Sequence, residues 1–177
     1  MSTETSSSMN SRVALLQFKV TDSKSQNHET ASAFLAKAAA QNAKLAVLPE
    51  IWNGPYATAA FAEYAEVLPS IGDGDPAEVE SSSARLLMEK AKEHNIYIIG
   101  GSIPERVIEN SSELIYNTCL CINPDGKIVG KHRKVHLFDI DVPGKITFKE
   151  SDTLSPGTGL TAFDAKEPFG MIGIGIW

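Results

Sequence analysis

The feature that most constrains the fold is an alternation of short apolar runs with helix-like stretches over the first hundred residues. Residues 13–20 and 45–48 are apolar runs with the length of buried strands, and Pro49 stops the second run. Between them, Asn27 can cap a helix that continues to about Asn42. This spacing predicts strand, helix and strand in succession, which is typical of a sheet with helices packed on it.

The alternation of predicted strands and helices continues for one more helix and one more strand, and then changes. A second helix is predicted over residues 76–94, with Pro76 in its first turn, followed by a third strand at 96–99 that ends at Gly100 and Gly101. The Asn-Pro-Asp-Gly sequence at 123–126 is a strong turn signal. Further strands are expected at residues 114–122, 127–135, 160–163 and 170–177. The pattern favours the α/β class: a mixed sheet in one domain over residues 12–177, after a disordered lead at 1–11.

Charge and composition exclude several classes of function. The net charge of −6 argues against a nucleic-acid partner, which requires a basic surface. No apolar run approaches the roughly 20 residues that span a membrane, and the Ser/Thr-rich start has no apolar stretch of a secretory signal. Cys119 and Cys121 share one face of a predicted strand and are poorly placed to bridge each other. We therefore expect a reducing compartment, the cytoplasm, with mitochondria left open.

Glu50 is the first candidate catalytic residue. It follows a buried strand directly, and open α/β sheets place their sites at the carboxyl ends of strands. A carboxylate beside the apolar Ile51 and Trp52 would suit general-base chemistry. The alternative is that Glu50 only caps the next turn or helix, and this segment alone favours that alternative.

Lys134 is the second candidate, within a basic run at residues 131–136. If the run alternates as a strand, His132, Lys134 and His136 share a face opposite Arg133. A lysine on an inward face needs a partner, which would suggest contact with an oxyanion or a substrate. The alternative is a solvated, charged edge of a hairpin, which is the more common outcome for a basic run.

Glu150 is the third candidate, and by itself it is an ordinary loop carboxylate. No spacing of His, Cys and Asp matches a metal site, and the chain has neither a Gly-x-Ser-x-Gly elbow nor a nucleotide-binding glycine motif. We expect neither a metal nor a cofactor.

Taken together, these segments resemble the nitrilase, or carbon–nitrogen hydrolase, superfamily. Residues 48–50 resemble the motif of its catalytic glutamate, residues 131–137 resemble its lysine motif with Lys134 in the catalytic position, and Glu150 resembles a second glutamate that many members carry. Further segments are similar to the ω-amidase branch: residues 50–56, 63–66, 100–105, 116–119 and 136–151. Each motif is weak alone, and the series in one order is specific.

The resemblance implies an α-β-β-α sandwich and hydrolysis of a small-molecule 2-oxo acid amide, 2-oxoglutaramate or 2-oxosuccinamate, in glutamine and asparagine metabolism. In the family, a cysteine attacks the amide carbon, a glutamate takes its proton and a lysine steadies the oxyanion. These roles imply Glu50 as general base, Lys134 as oxyanion stabiliser and Glu150 as a supporting carboxylate. The family uses no metal or cofactor, and its members form homodimers or larger assemblies.

The chain departs from the family at Trp177. There the family's Gly-Ile-Gly-Ile strand runs into the cysteine nucleophile, whereas residues 173–176 run into Trp177. We therefore expect an incomplete domain, truncated at its C-terminal side, and no activity in this polypeptide. Two alternatives remain open: a non-catalytic partner or ligand-binding subunit, and an amide hydrolase of another nitrilase branch.

Overall fold

A computed structural model describes residues 11–177 and contains a six-stranded mixed sheet. The sheet has the order β1-β2-β3-β5-β4, and β6 pairs with residues 118–122 of the long β5. β1, β2 and β3 are parallel, and the other pairs are antiparallel. The strands are β1 Arg12–Leu15, β2 Ala43–Val47, β3 Tyr97–Ile99, β4 Ile103–Glu109, β5 Ser112–Ile122 and β6 Ile128–Arg133. The α/β class is confirmed, whereas the disordered lead expected at 1–11 lies, apart from Ser11, outside the described residues.

Within residues 11–177, three α-helices accompany the sheet: α1 Lys24–Ala40, α2 Thr58–Tyr64 and α3 Ser82–His94. The hydroxyl of Ser23 accepts the N–H of Gln26 at the start of α1, and that of Ser81 accepts the N–H of Ala84 at the start of α3. α3 ends at Asn95, whose φ of 52° is the left-handed conformation typical of helix ends.

Two predicted helix boundaries are wrong. Asn27 lies inside α1 and is buried, where its side chain bonds both the N–H and the carbonyl of Thr21 at 2.8 Å. The single helix predicted over residues 76–94 is a 3₁₀ turn at Pro76–Glu78 followed by α3. A serine caps each α-helix: Ser23 caps α1 in place of the predicted Asn27, and Ser81 caps α3, while Pro76 lies in the first turn of the separate 3₁₀ segment.

Two short hairpins complete the fold: β7 Asp139–Val142 with β8 Ile146–Lys149, and β9 Thr161–Asp164 with β10 Met171–Ile174. The pairing of β5 with β6 is as predicted. The two last strands begin within one residue of their predicted starts, but β10 ends at Ile174 and not at residue 177. α2, β4 and the β7–β8 hairpin were not predicted, and β7–β8 bears on the site described below.

The sheet separates two apolar clusters. On one face, Ala46, Ile98 and Leu120 pack with residues of α1 and α3. On the other face, Cys119 and Cys121 pack with residues of the β9–β10 hairpin. Successive strand residues therefore face helices and hairpin in turn, as the strand periodicity requires. Within residues 11–177, no helix has both the length and the apolar content to cross a membrane.

A buried carboxylate, Glu66, joins the helices at one end of the sheet. It accepts hydrogen bonds from the hydroxyls of Ser81 at 2.6 Å and Ser83 at 2.5 Å, from the N–H of Ser83 at 3.0 Å, and from Asn53 at 3.0 Å. Lys24 lies 3.0 Å away. Burial alone would raise the pKa of Glu66, but the serine hydrogen bonds and Lys24 outweigh burial and lower it to about 2.

Candidate active site

Glu50 is carried on a tight turn directly after β2. Gly101, just beyond β3, has φ = +59°, and a Cβ atom there would lie 1.9 Å from the carbonyl oxygen of Pro49. The N–H of Ser102 donates to the same carbonyl at 3.2 Å. Only glycine permits this approach, so the two loops meet and hold Glu50 at the carboxyl end of the parallel strands.

The residue after Glu50 is conformationally strained. Ile51 has φ = +48°, which a β-branched residue rarely adopts, and its N–H donates to the hydroxyl of Ser102 at 2.9 Å. The indole of Trp52 donates to the carbonyl of Gly100 at 2.8 Å, and both side chains are buried. Such strain, held by surrounding contacts, is concentrated at functional sites.

Lys134 is buried between two carboxylates. Its Nζ lies 2.9 Å from Oε1 of Glu50 and 3.1 Å from the carboxylate of Glu150, and its side chain has no exposed area. Its N–H donates to the carbonyl of Asn117 at 2.8 Å, next to the last pair of the β5–β6 ladder. The alternative of a solvated hairpin edge is therefore wrong for Lys134. The alternative of Glu50 as a cap is also wrong, because its carboxylate bonds side chains of distant segments.

Glu150 is fully buried at the base of the β7–β8 hairpin. Its carboxylate accepts the N–H of Phe138 at 2.6 Å, and its own N–H donates to the carbonyl of Phe138 at 3.1 Å. The hydroxyl of Tyr56 also donates to this carboxylate. The hairpin thus fixes Glu150 against Lys134, and Glu150 is not the ordinary loop carboxylate that its segment suggests.

Two residues of this cluster were not singled out from the sequence. Asn117 donates from Nδ2 to Oε1 of Glu50 at 2.8 Å, and the hydroxyl of Tyr56 lies 3.4 Å from the same oxygen. Burial, followed by the hydrogen bond to Glu150 and the charges of both carboxylates, raises the pKa of Tyr56 far above its usual range. Tyr56 therefore stays a neutral hydrogen-bond donor. Both residues lie in segments that resemble the ω-amidase branch, which was the available signal.

Two other residues of the basic run, Lys131 and Arg133, serve a different carboxylate. Lys131 and Arg133 approach Glu105 on β4 at 2.6 and 2.8 Å, and Thr118 donates to it at 2.7 Å. Burial alone would raise the pKa of Glu105, but Arg133, Lys131 and Thr118 lower it. His136 is exposed, so it does not share the buried face of Lys134 as predicted.

A cavity of about 450 Å³ opens beside Glu50. Its wall includes Glu50, Ser102, Cys119 and Trp177, whereas Lys134 and Glu150 lie off the wall. Cys119 and Cys121 are free and buried. A hydrogen bond with Cys119 that stabilises the neutral thiol, followed by burial, raises the pKa of the Cys121 thiol far above its usual value. Among residues 11–177, no three His, Cys, Asp or Glu side chains converge as metal ligands.

Comparison with protein families gives a match over residues 12–176 to the carbon-nitrogen hydrolase family. The chain is 48% identical over 165 residues to the omega-amidase NIT2 of Homo sapiens, covering 93% of this chain and 54% of that protein. It is 46% identical to the omega-amidase NIT2 of Danio rerio, covering 53% of that protein. The chain thus spans about half the length of the curated relatives it matches.

Solved structures give the same picture. Nit3 of Saccharomyces cerevisiae, a member of branch 10 of the nitrilase superfamily, aligns with a TM-score of 0.74 at 37% identity. The alignment covers 92% of this chain and 54% of Nit3. The NitN amidase of Neterenkonia sp. AN1 aligns with a TM-score of 0.67 at 17% identity, which shows a shared fold.

Proposed function

Because the chain belongs to the carbon–nitrogen hydrolase family, we propose that Glu50, Lys134 and Glu150 are its contribution to an amide-hydrolysing site. The observation that carries this proposal is the fully buried ammonium of Lys134 between two carboxylates, one of which borders the cavity. Burying the charges of Lys134 and Glu150 costs several kcal/mol per ion before pairing returns part of it. Clusters of buried ionisable groups beside a cavity are typical of catalytic sites.

The roles follow from the chemistry of each group. In the proposed reaction, the thiol of the family's cysteine nucleophile attacks the amide carbon. Glu50 takes the thiol proton, since its carboxylate borders the cavity. Lys134 supplies positive charge for the oxyanion that forms on the amide oxygen. Glu50 passes the proton to the leaving nitrogen, ammonia departs, and water activated by Glu50 then hydrolyses the acyl-enzyme. Glu150 holds Lys134 in place.

The substrate class comes from the relatives. Those with 46–48% identity are omega-amidases. We assign the side-chain amide of 2-oxoglutaramate or 2-oxosuccinamate as the bond that is cleaved, with the 2-oxo dicarboxylic acid and ammonia as products. A neutral Tyr56 donates its hydroxyl proton to Glu150 and accepts from Lys134, so it helps to hold both residues in place.

The polypeptide of these 177 residues is expected to release no ammonia from 2-oxoglutaramate above a blank without enzyme. Cys121 is buried with a raised pKa, and Cys119, although it borders the cavity, is only 2% exposed. Trp177 occupies the position of the family's nucleophile and offers no thiol. A coupled ammonia assay on the purified chain measures this. Release that disappears in Cys119→Ser would contradict the prediction and identify Cys119 as the nucleophile.

A chimaera tests the roles of the residues directly. Residues 12–176 are grafted in place of the matched region of the Homo sapiens omega-amidase. The chimaera is expected to hydrolyse 2-oxoglutaramate, and Glu50→Gln in it is expected to lower kcat/KM by about a hundred-fold or more, the usual contribution of a general base. Glu113→Gln, which removes an exposed carboxylate paired with Arg106, is the matched control and should leave kcat/KM unchanged. An active chimaera that tolerates Glu50→Gln would remove Glu50 from the mechanism.

A further inference from the structure

The hydrogen bonds to Glu50 all converge on one of its two carboxylate oxygens. Oε1 accepts from Nζ of Lys134 at 2.9 Å and from Nδ2 of Asn117 at 2.8 Å, and the hydroxyl of Tyr56 lies 3.4 Å away. Within residues 11–177, no donor reaches Oε2. The carboxylate is therefore asymmetric, with one oxygen bound by donors and the other free to meet the cavity.

We propose that Asn117 is a positioning residue that holds Oε1 of Glu50 against Lys134 and so leaves Oε2 as the oxygen that accepts the proton. This inference rests on the proposed function, because it specifies how Glu50 acts as a base. An ammonium group and an amide N–H are donors that cannot accept a proton. Protonation at Oε1 would place a hydrogen against two donors, whereas Oε2 can take a proton without displacing either of them.

Asn117 is built into the rigid part of the molecule. It lies on β5, opposite Pro104 of β4, and is fully buried. Its side chain bonds Glu50 while its carbonyl accepts the N–H of Lys134, so one residue fixes both members of the pair.

The side-chain oxygen of Asn117, Oδ1, gives a second observation. Within the described part of the chain, the buried Oδ1 has no hydrogen-bond partner. A buried carbonyl oxygen without a partner destabilises the fold. An apolar side chain of the same size would avoid that cost, so the asparagine is explained by the donor that it offers to Glu50.

A double-mutant cycle on the full chain tests the proposal without requiring turnover. The variants are Asn117→Leu, Glu50→Gln and the double substitution, and urea unfolding is followed at micromolar concentration. At pH 7, the two sites are expected to be coupled by about ten-fold or more in the unfolding equilibrium constant, as for a hydrogen bond to a charged acceptor. Coupling below about two-fold would overturn the proposal.

Thr118→Val is the matched control, since Thr118 is the next residue on β5 and donates to Glu105 rather than Glu50. Thr118→Val is expected to destabilise the chain without coupling to Glu50→Gln. NMR of the protein labelled with ¹³C-glutamate gives a second readout, in which the carboxyl signal that disappears in Glu50→Gln belongs to Glu50. This signal is expected to shift in Asn117→Leu and to stay in place in Thr118→Val. A signal that stays in place in Asn117→Leu would show that Asn117 is only structural.

The two hypotheses fail in different ways. If the chimaera depends on Glu50 but Asn117 and Glu50 are not coupled in the cycle, the positioning role of Asn117 is wrong and the proposed function stands. If Glu50→Gln leaves the activity of the chimaera unchanged, the proposed function is wrong, whatever coupling the cycle gives.

Discussion

Lys134→Met is expected to lower the free energy of unfolding by about 3–5 kcal/mol, the usual cost of removing one partner of a buried ion pair. Methionine fills a similar volume, so the loss comes from charge rather than from a cavity. The carboxylates of Glu50 and Glu150 would remain together without the cation that lies 2.9 and 3.1 Å from them. Urea unfolding at pH 7 measures the effect.

Two further variants identify its cause. Lys166→Met removes a lysine from an exposed pair with Asp164 and is expected to change stability little, since exposed pairs contribute little. Adding Glu150→Gln to Lys134→Met removes one of the uncompensated charges and is expected to restore part of the loss. If the double variant is less stable than Lys134→Met, uncompensated charge is not the cause.

Glu66→Gln is expected to cost about 3 kcal/mol of stability at pH 7, with a deficit that disappears in acid. The folded pKa of about 2 lies below the ordinary value of 4.5, and about 2.5 pH units correspond to about 3 kcal/mol. A depressed carboxyl pKa stabilises the fold fully above the unfolded pKa. This contribution is lost as the pH falls from about 4.5 to about 2.

Urea unfolding of both forms between pH 7 and pH 2 measures this dependence. Glu80→Gln changes an exposed carboxylate next to Ser81 and is the control, with no expected deficit at any pH. A Glu66→Gln deficit that is the same at pH 7 and pH 2.5 would mean that packing, and not the charge of Glu66, stabilises this junction.

The alternating part of the fold could be predicted from the sequence because its signals are local. The runs at 45–48 and 96–99 lie on or beside β2 and β3, and the turn at 123–126 joins β5 to β6. α2 and the β7–β8 hairpin were missed because their sequences carry no strong apolar periodicity. The start of α1 was misplaced because Asn27 bonds the backbone of Thr21 instead of capping the helix.

The candidate site was only partly predictable for a different reason. Glu50, Lys134 and Glu150 could be selected from the order of short motifs. The contacts of Asn117 and Tyr56 depend on segments 67 and 94 residues apart, which only the folded sheet brings together. The burial of Lys134 likewise depends on the β7–β8 hairpin, which delivers Glu150 to it.

Arg133 and Lys134 are adjacent in sequence but pair with different carboxylates. This arrangement helps to specify the register of β6. Arg133 pairs with Glu105, whereas the next residue pairs with Glu50 and Glu150. A strand that slips by one residue exchanges its two faces. A slip that brings Val135 to the place of Lys134 would leave Glu50 and Glu150 together without a cation. Chains misaligned in this way would therefore be less stable, so the groups proposed for amide hydrolysis would also favour the correct register of β6.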